Sequence, residues 1–316
     1  MKILVLDKNT TTVNDDIDFS GFNQFGEMVI HENLNEPEAI ISAANGVDVI
    51  VVNKVYLTEA IINRLPDSVK LIAITATGYD NVDVAAATKR CIKVANVPGY
   101  GTNAVSQLVI FLMLSCTIQF VPQLDYMREK GWDKMAGLAI PMRELSGKTL
   151  GIIGLGEIGI ATARLALAFG MKVVAYNRSI KNIDGIKQLE LYEVAKEADF
   201  ISLNCALTKD TAKIINEEFL THMKPTAYLI NTARGGLIDE VALSLAIKNK
   251  RIAGAALDVL SSEPPLADNP LLGLDNVLLT PHIGWAPVEA RQRCIDITIE
   301  NVVAFTRGKL INFLNE

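Results

Sequence analysis

Residues 149–169 constrain what this chain can fold into more than any other stretch. Thr149-Leu150-Gly151-Ile152-Ile153 is a short, largely apolar run with the character of a buried strand. It leads directly into Gly154-Leu155-Gly156-Glu157-Ile158-Gly159, and an alanine-rich helical pattern, Ile158–Phe169, follows. The G-x-G-x-x-G spacing alone is a weak signal, but between a buried strand and a helix it has a mechanism. The first glycine permits a tight turn, the second lets backbone approach a pyrophosphate, and the third lets the helix pack closely on the strand. The helix N-terminus then faces the phosphates. Such a stretch belongs in a parallel α/β sheet with a dinucleotide at its edge.

The same alternation runs through most of the sequence. Before the glycine turn, Lys2–Leu6, Val47–Val52, Leu71–Thr75 and Lys93–Ala95 read as strands. Helical patterns fall at Glu36–Ala44, from about Thr58 (where the threonine can cap) and at Val84–Lys89. After the turn, strands read at Lys172–Tyr176, Phe200–Leu203, Ala227–Asn231, Ala253–Leu257 and Val277–Thr280, and a final helix at about Val288–Thr306. Between the two sets lie one long helical region, about Thr102–Lys130, and a loop, Gly131–Gly147, containing Trp132 and Pro141. The 316 residues exceed a single core. Two doubly wound parallel sheets are therefore expected, with the last helix returning to the first unit because the second is already complete.

Composition narrows the class of function. The formal net charge is −6 and no basic run occurs, which argues against nucleic acid or an anionic membrane as partner. The apolar stretch Ala104–Val121 is interrupted by Ser106, Gln107, Ser115, Thr117 and Gln119, so a buried helix is expected there and not a membrane span. Met1–Leu6 is too short for a signal-peptide core. Cys91, Cys116, Cys205 and Cys294 are scattered without metal-ligand spacing. They read as small hydrophobes in a reducing compartment, so a cytoplasmic protein without a metal is expected.

The choice of dinucleotide stays open. An acid about twenty residues beyond the glycine turn ordinarily binds the ribose hydroxyls of NAD. Here the second strand ends Tyr176-Asn177-Arg178-Ser179, with Asn177 where the acid would stand. A neutral residue followed by Arg178 can accommodate the 2'-phosphate of NADP; equally, Asn177 can bind the ribose of NAD while Arg178 is merely solvated.

Three residues leave separate strands at the carboxyl edge, where open α/β sheets hold their ligands. Arg234 follows Tyr228–Asn231 by way of Thr232-Ala233, beside Gly235-Gly236. Glu263 follows the strand ending at Leu257, and His282 follows the strand ending at Thr280, between Pro281 and Gly284. This set suits hydride transfer to a 2-keto acid. The arginine can anchor the carboxylate bidentately, the histidine can protonate the carbonyl oxygen as hydride arrives, and the glutamate can hold the imidazole. The other histidines, His31 after a strand and His222 near Lys224-Pro225, read as structural.

At this point the sequence resembles the D-isomer-specific 2-hydroxyacid dehydrogenase family along essentially its whole length. The resemblance is carried by Ala76-Thr77-Gly78-Tyr79-Asp80-Asn81-Val82-Asp83, Asn96-Val97-Pro98-Gly99-Tyr100-Gly101-Thr102 and the glycine turn. It continues in Asn231-Thr232-Ala233-Arg234-Gly235, Leu257-Asp258-Val259 through Glu263-Pro264, and Pro281-His282-Ile283-Gly284. It implies a flavodoxin-like substrate domain, 1–98 plus 288–316, a dinucleotide-binding domain, 99–287, and a homodimer built largely through the latter. The helix within 104–121 would serve as core and interface. By the same resemblance, Arg234, Glu263 and His282 are catalytic, and Asn53, Lys54, Thr77, Gly78 and Tyr79, with Arg234 and His282, bind substrate. Backbone groups at Asn53-Lys54 and Gly78 would hold the carboxylate. Cofactor contacts fall to Gly154, Gly156, Glu157, Ile158 and Gly159 at the turn, and to Asn177, Arg178 and Ser179 after the next strand. The loop with Cys205 and Ala206 passes near the adenine, Thr102, Ala233 and Asp258 contact the nicotinamide side, and Thr211, Thr232, Arg234, His282 and Gly284 are further cofactor contacts. The chain departs from the family at Asn177 and at Ala206, where proline is usual.

Val52-Asn53-Lys54, Ala76–Tyr79 and Gly284-Trp285-Ala286 look most like family members that interconvert hydroxypyruvate or glyoxylate and D-glycerate or glycolate, using NAD or NADP. Members with a C-terminal regulatory extension fit less well, since the sequence ends soon after the last helix. Two alternatives stand: a dehydrogenase for a larger 2-keto acid, and a cofactor-sensing, corepressor-like binding protein that keeps the same residues.

Overall fold

The computed structural model describes residues 1–132, 134 and 136–315. The chain divides into two compact units, Met1–Gly101 with Ala286–Glu316, and Thr102–Trp285.

The first unit carries β1 (Lys2–Val5), β2 (Glu27–Ile30), α1 (Pro37–Ala43), β3 (Val49–Val52), α2 (Glu59–Ile62), β4 (Leu71–Ile74), α3 (Val84–Lys89) and β5 (Lys93–Ala95). All its strand pairs are parallel, in the order β2-β1-β3-β4-β5, the flavodoxin-like order. β3 and β4 are buried at every position, as expected of a sheet covered on both faces. One face packs Ile50, Val52, Ile72 and Ile74 against Ile40, Ile61 and Ile62 from the helices. On the other, Ile3, Val5, Val49 and Leu71 meet Phe22 and, from the C-terminal helix, Ile295 and Val302. The chain's end is tied to β5 by a buried network in which Asn301 Nδ2 donates to Asn96 O at 2.8 Å.

The second unit begins with α4 (Thr102–Ile118), α5 (Phe120–Lys130) and α6 (Ala136–Ala139). There follow β6 (Thr149–Ile153), α7 (Glu157–Ala168), β7 (Lys172–Tyr176), β8 (Ile186–Gln188), α8 (Leu191–Glu197), β9 (Phe200–Leu203) and α9 (Glu217–His222). It closes with β10 (Tyr228–Asn231), α10 (Glu240–Lys248), β11 (Gly254–Leu257) and β12 (Val277–Leu279); the C-terminal helix of the first unit is α11 (Val288–Thr306). The sheet order is β12-β11-β10-β9-β6-β7-β8, parallel throughout. This is the doubly wound dinucleotide order extended by one strand, with order reversing at β6. The largest fully buried side chain here is Phe219; its truncation to alanine would cost about 3–5 kcal/mol.

The structure corrects four expectations. The helical region 102–130 is two helices, broken at Gln119, whose left-handed backbone (φ 54°) bends the pair by 52°. Gln119 Nε2 bonds Cys116 O at 2.8 Å, taking one carbonyl left open by the break. Thr58 precedes α2 but makes no side-chain cap. β8 was not foreseen, because Ile186-Lys187-Gln188 is too short and too polar to show a strand pattern. The expected loop 131–147 contains α6, and its positions 133 and 135 lie outside the described residues. No single helix among the described residues is long and apolar enough to cross a membrane; the bent α4–α5 pair passes that test by length and composition, and nine residues of α4 are buried.

Candidate active site and dinucleotide site

The glycine turn is shaped for a ligand. Gly154 ends β6 with φ +102°, and a Cβ there would lie 2.7 Å from Cys205 N. A Cβ on Gly159 would lie 2.1 Å from Gly154 O, so α7 packs on the turn only because no side chain intervenes. Gly156 is the exception, since a Cβ there would meet nothing within 4 Å. It caps α7 in extended conformation, and the helix's own bonding begins with Ile160 N to Gly156 O at 2.9 Å. The N–H groups of Glu157, Ile158 and Gly159 therefore precede the intrahelical ladder, a fit for a pyrophosphate. Glu157 itself is exposed, and its carboxylate accepts a 3.4 Å bond from Thr102 Oγ1. Two buried polar atoms on neighbouring edge loops, Asn204 Oδ1 after β9 and Thr232 Oγ1 after β10, have no hydrogen-bond partner among the described residues. Buried polar groups are seldom left so, which again suits a bound polar molecule.

The loop after β7 differs from what the sequence suggested. Asn177 Oδ1 accepts from Leu155 N at 2.9 Å, and Nδ2 donates to Ser179 O and Oγ at 2.8 and 3.1 Å. Both amide hydrogens are thus spent inside the loop, and Asn177 serves mainly to hold the glycine turn against β7. Arg178 and Ser179 are exposed. Lys181, which sequence reasoning missed, folds back and donates its ammonium to Leu155 O at 2.8 Å. A basic residue three positions beyond Arg178 was the signal available. On the neighbouring loop, Thr211 Oγ1 donates to Ala206 O at 2.7 Å and accepts from Thr208 N at 2.8 Å, closing the segment on itself. Burial pushes the half-buried Cys205 thiol up from its ordinary pKa, so it is a weaker nucleophile than a free thiol.

His282 and Glu263 are brought together. His282 Nδ1 and Glu263 Oε2 are 2.6 Å apart, a charge-assisted length. With Nδ1 engaged, Nε2 is the nitrogen available to a substrate. His282 has a left-handed backbone (φ 54°), uncommon outside glycine, and Asp258 supports it. The Asp258 side chain, 1% exposed, accepts from Thr280 Oγ1 at 2.6 Å, Ile283 N at 2.8 Å and Gly284 N at 2.8 Å; its backbone O accepts from His282 N at 2.9 Å. The carboxylate expected to face the nicotinamide is thus largely occupied in building the histidine loop. Arg234 follows β10 in extended conformation. Asn231 fixes its turn, accepting from Ala233 N at 3.0 Å and donating to Arg234 O at 2.9 Å. At Gly235 a Cβ would lie 1.9 Å from Leu260 C, so the arginine turn rests directly on the backbone that leads to Glu263.

In the first unit, Asp7 ends β1 with a buried carboxylate that gathers the loop after β3. It accepts from Asn53 N at 2.9 Å, Lys54 N at 2.6 Å and Val55 N at 3.0 Å. The backbone N–H groups of Asn53 and Lys54, expected to hold a substrate carboxylate, are therefore consumed within the fold. Asn53 Nδ2 is spent on Thr10, and the Lys54 side chain is exposed. Asn81 Nδ2 donates to Val55 O at 2.9 Å, joining the loop after β4 to that after β3. Thr77 Oγ1 donates to Val97 O at 2.7 Å, Gly78 is half-buried and Tyr79 is exposed. His31 follows β2 beside the Asp7 loop, where its N–H donates to Val5 O at 2.9 Å and its carbonyl accepts from Lys8 N at 3.1 Å. His222 ends α9, stacked on Tyr192 at 4.7 Å between ring centres.

A dinucleotide turn at the switch point of a parallel sheet, with a glutamate-paired histidine and an arginine at its carboxyl edge, defines a nicotinamide-dependent oxidoreductase acting on a CH–OH group. More narrowly, the chain belongs to the D-isomer-specific 2-hydroxyacid dehydrogenase family: residues 110–284 match the "D-isomer specific 2-hydroxyacid dehydrogenase, NAD binding domain". It is 37% identical to a hydroxypyruvate reductase of Blautia hydrogenotrophica, with 100% of both chains covered. It is 39% identical to a glycerate dehydrogenase of Methylorubrum extorquens, over 98% of this chain and 97% of that one. Among solved structures, an acyclic imino acid reductase in complex with NADPH and D-Arg superposes with a TM-score of 0.89, at 35% identity, over 99% of this chain and 100% of that one.

Proposed function

We propose that this chain reduces hydroxypyruvate and glyoxylate, with NADPH as its preferred cofactor. The 2.6 Å bond between His282 Nδ1 and Glu263 carries the reading. It fixes the imidazole so that Nε2 can give a proton to a carbonyl oxygen, while the arginine two loops away binds the adjoining carboxylate. When bound, the cofactor supplies the hydride. The chain's residues then do the rest: Arg234 binds and orients, His282 donates the proton, and Glu263 stabilises the imidazolium or holds the neutral ring in one tautomer. Lys54 and the Thr77-Gly78-Tyr79 loop are proposed as further substrate-binding residues. The relatives named for hydroxypyruvate and glycerate, aligned over nearly full length, support the small substrate.

NADPH is favoured because Asn177 is neutral and internally satisfied while Arg178 and Lys181 flank it, and because the imino acid reductase holds NADPH. A homodimer is part of the proposal. Phe111, Ile118, Phe120, Val121, Leu124 and Met127 of α4 and α5 are exposed large hydrophobics, a patch that ordinarily marks an interface. We place the enzyme in the cytoplasm, consistent with four free cysteines.

The deciding experiment is a panel of 2-keto acids with NADH and NADPH. Hydroxypyruvate and glyoxylate should be turned over best, and His282→Ala should abolish turnover while cofactor binding persists. Activity confined to bulkier 2-keto acids or imino acids would overturn the substrate assignment. Wild-type inactivity with intact cofactor binding would favour a sensing role.

A further inference from the structure

Glu263 rides on an unusually unsupported segment. Every residue from Ser261 to Asp268 is exposed, and the chain returns to the core only at Leu271, which is fully buried. Burial cannot hold such a segment in place, so its position depends on polar contacts.

Glu240, the first residue of α10, supplies them at both ends. Its Oε1 accepts from Ser261 N at 2.7 Å and its Oε2 from Ser261 Oγ at 2.8 Å. Oε2 also accepts from Asn269 Nδ2 at 2.8 Å. One carboxylate therefore closes the segment where it leaves the sheet and where it comes back. Glu240 is itself well anchored, because Asp239 caps α10 through Ala242 N at 3.2 Å. The same run of chain begins at Arg234 and presses Gly235 against Leu260. The stretch 234–240 thus carries an active-site arginine at one end and the staple of the glutamate loop at the other.

We propose that Glu240 is a positioning residue for hydride transfer, stapling the exposed 261–269 segment so that Glu263 stays hydrogen-bonded to His282. The proposal rests on the catalytic reading of Glu263 and His282 given above. It follows from the sensitivity of proton transfer to placement, where an error of about 1 Å costs on the order of a hundredfold in rate. An unstapled, still folded loop would lose part of that.

The test is steady-state kinetics with hydroxypyruvate and NADPH on the full-length protein. Glu240→Ala should lower kcat about tenfold, with the KM for NADPH within about twofold of wild type. Glu240→Gln should recover part of the loss, because its carbonyl oxygen still accepts from Ser261 N and its amide can donate to the Ser261 hydroxyl, whereas that amide and the Asn269 amide are both donors and no longer pair. In a Glu263→Gln background, Glu240→Ala should cost less than about twofold, since the contact it protects is already weakened. Should Glu240→Ala fail to fold, the double change Ser261→Ala with Asn269→Ala removes the side-chain half of the staple from the loop side, and should lower kcat by at least threefold. The proposal is overturned if Glu240→Ala keeps kcat within twofold, or costs the same tenfold with Glu263 already replaced. It is equally overturned if the loop-side double change leaves kcat unaltered. An inactive wild type, or a Glu263→Gln variant of full activity, would instead defeat the catalytic reading.

Discussion

The two sheets solve one problem with the same part and put it to different use. Each has a buried aspartate at the carboxyl end of a strand, collecting N–H groups from the loop that follows another strand. In the first unit Asp7 takes three successive N–H groups, those of Asn53, Lys54 and Val55. In the second, Asp258 takes those of Ile283 and Gly284 and the Thr280 hydroxyl. Hydrogen bonds to a buried carboxylate contribute about 1.5–3 kcal/mol each, and leaving one donor unmatched costs comparably. The difference lies in what the gathered loop presents. Asp7 shapes a loop whose exposed side chain, Lys54, can meet an anion. Asp258 forces His282 into a left-handed backbone that directs the imidazole to Glu263. On the proposed function, one clamp would serve binding and the other chemistry.

The comparison breaks most visibly at Asp258. In Asp258→Asn an amide N–H₂ must replace one oxygen and face a donor, so the His282 loop loses its support. We expect kcat to fall about a hundredfold, as a displaced proton donor predicts, with about 2–3 kcal/mol lost from unfolding in urea. A variant with near-normal kcat would show that the clamp is dispensable for chemistry.

Asp7→Asn should cost similar stability, about 2–3 kcal/mol, but appear kinetically as a KM effect. The KM for hydroxypyruvate should rise about tenfold and kcat fall less, because binding that is equal in ground and transition states moves KM. If kcat fell as steeply as in the Asp258 variant, the division between binding clamp and chemical clamp would fail.

The cofactor loop tests a smaller contrast within the second unit. Arg178→Ala and Lys181→Ala should each raise the KM for NADPH about tenfold, the equivalent of one charge-assisted hydrogen bond. NADH should change by less than about twofold. Equal losses with both cofactors would place the two cations at the pyrophosphate and not at the 2'-phosphate.

How far these features could be read in the sequence follows from the range of the forces that make them. The glycine turn, the buried strands and the edge placement of Arg234, Glu263 and His282 are set by local pattern, and short range is what a sequence displays. Asp7 and Asp258 could not be read as clamps, because their partners lie 46 and 25 positions away for the Asn53 and Ile283 bonds. The neutral Asn177 looked like a ligand, yet its amide is satisfied by Leu155 and Ser179, one of them 22 positions back. Gln119 looked like a polar interruption of one helix and is its break, since αL geometry at a non-glycine residue leaves no compositional mark. Glu240 resembles any first-turn acid on a helix; only the folded loop shows what it holds.

A third aspartate sets the lower limit of the comparison. Asp16 is exposed and pairs with the buried Arg291 of α11 at 2.7 and 2.8 Å, while also accepting from Val13 N at 2.8 Å and Thr12 Oγ1 at 3.0 Å. The Arg291 guanidinium, with the Val13 N–H, holds its carboxyl far below the ordinary carboxylate value. A depressed carboxyl stabilises the fold above its unfolded pKa, near 4, and that contribution is lost as pH falls below it toward the folded value. The loop 11–16 and α11 should therefore loosen in acid. Asp16→Asn should lower Tm slightly at pH 7 and flatten its decline between about pH 4 and pH 2 relative to wild type. Because this pair is partly open to solvent, the effect at pH 7 should be a degree or two, well below those of Asp7 and Asp258. An Asp16→Asn variant whose Tm fell as steeply in acid as wild type would show that other carboxylates govern the acid transition.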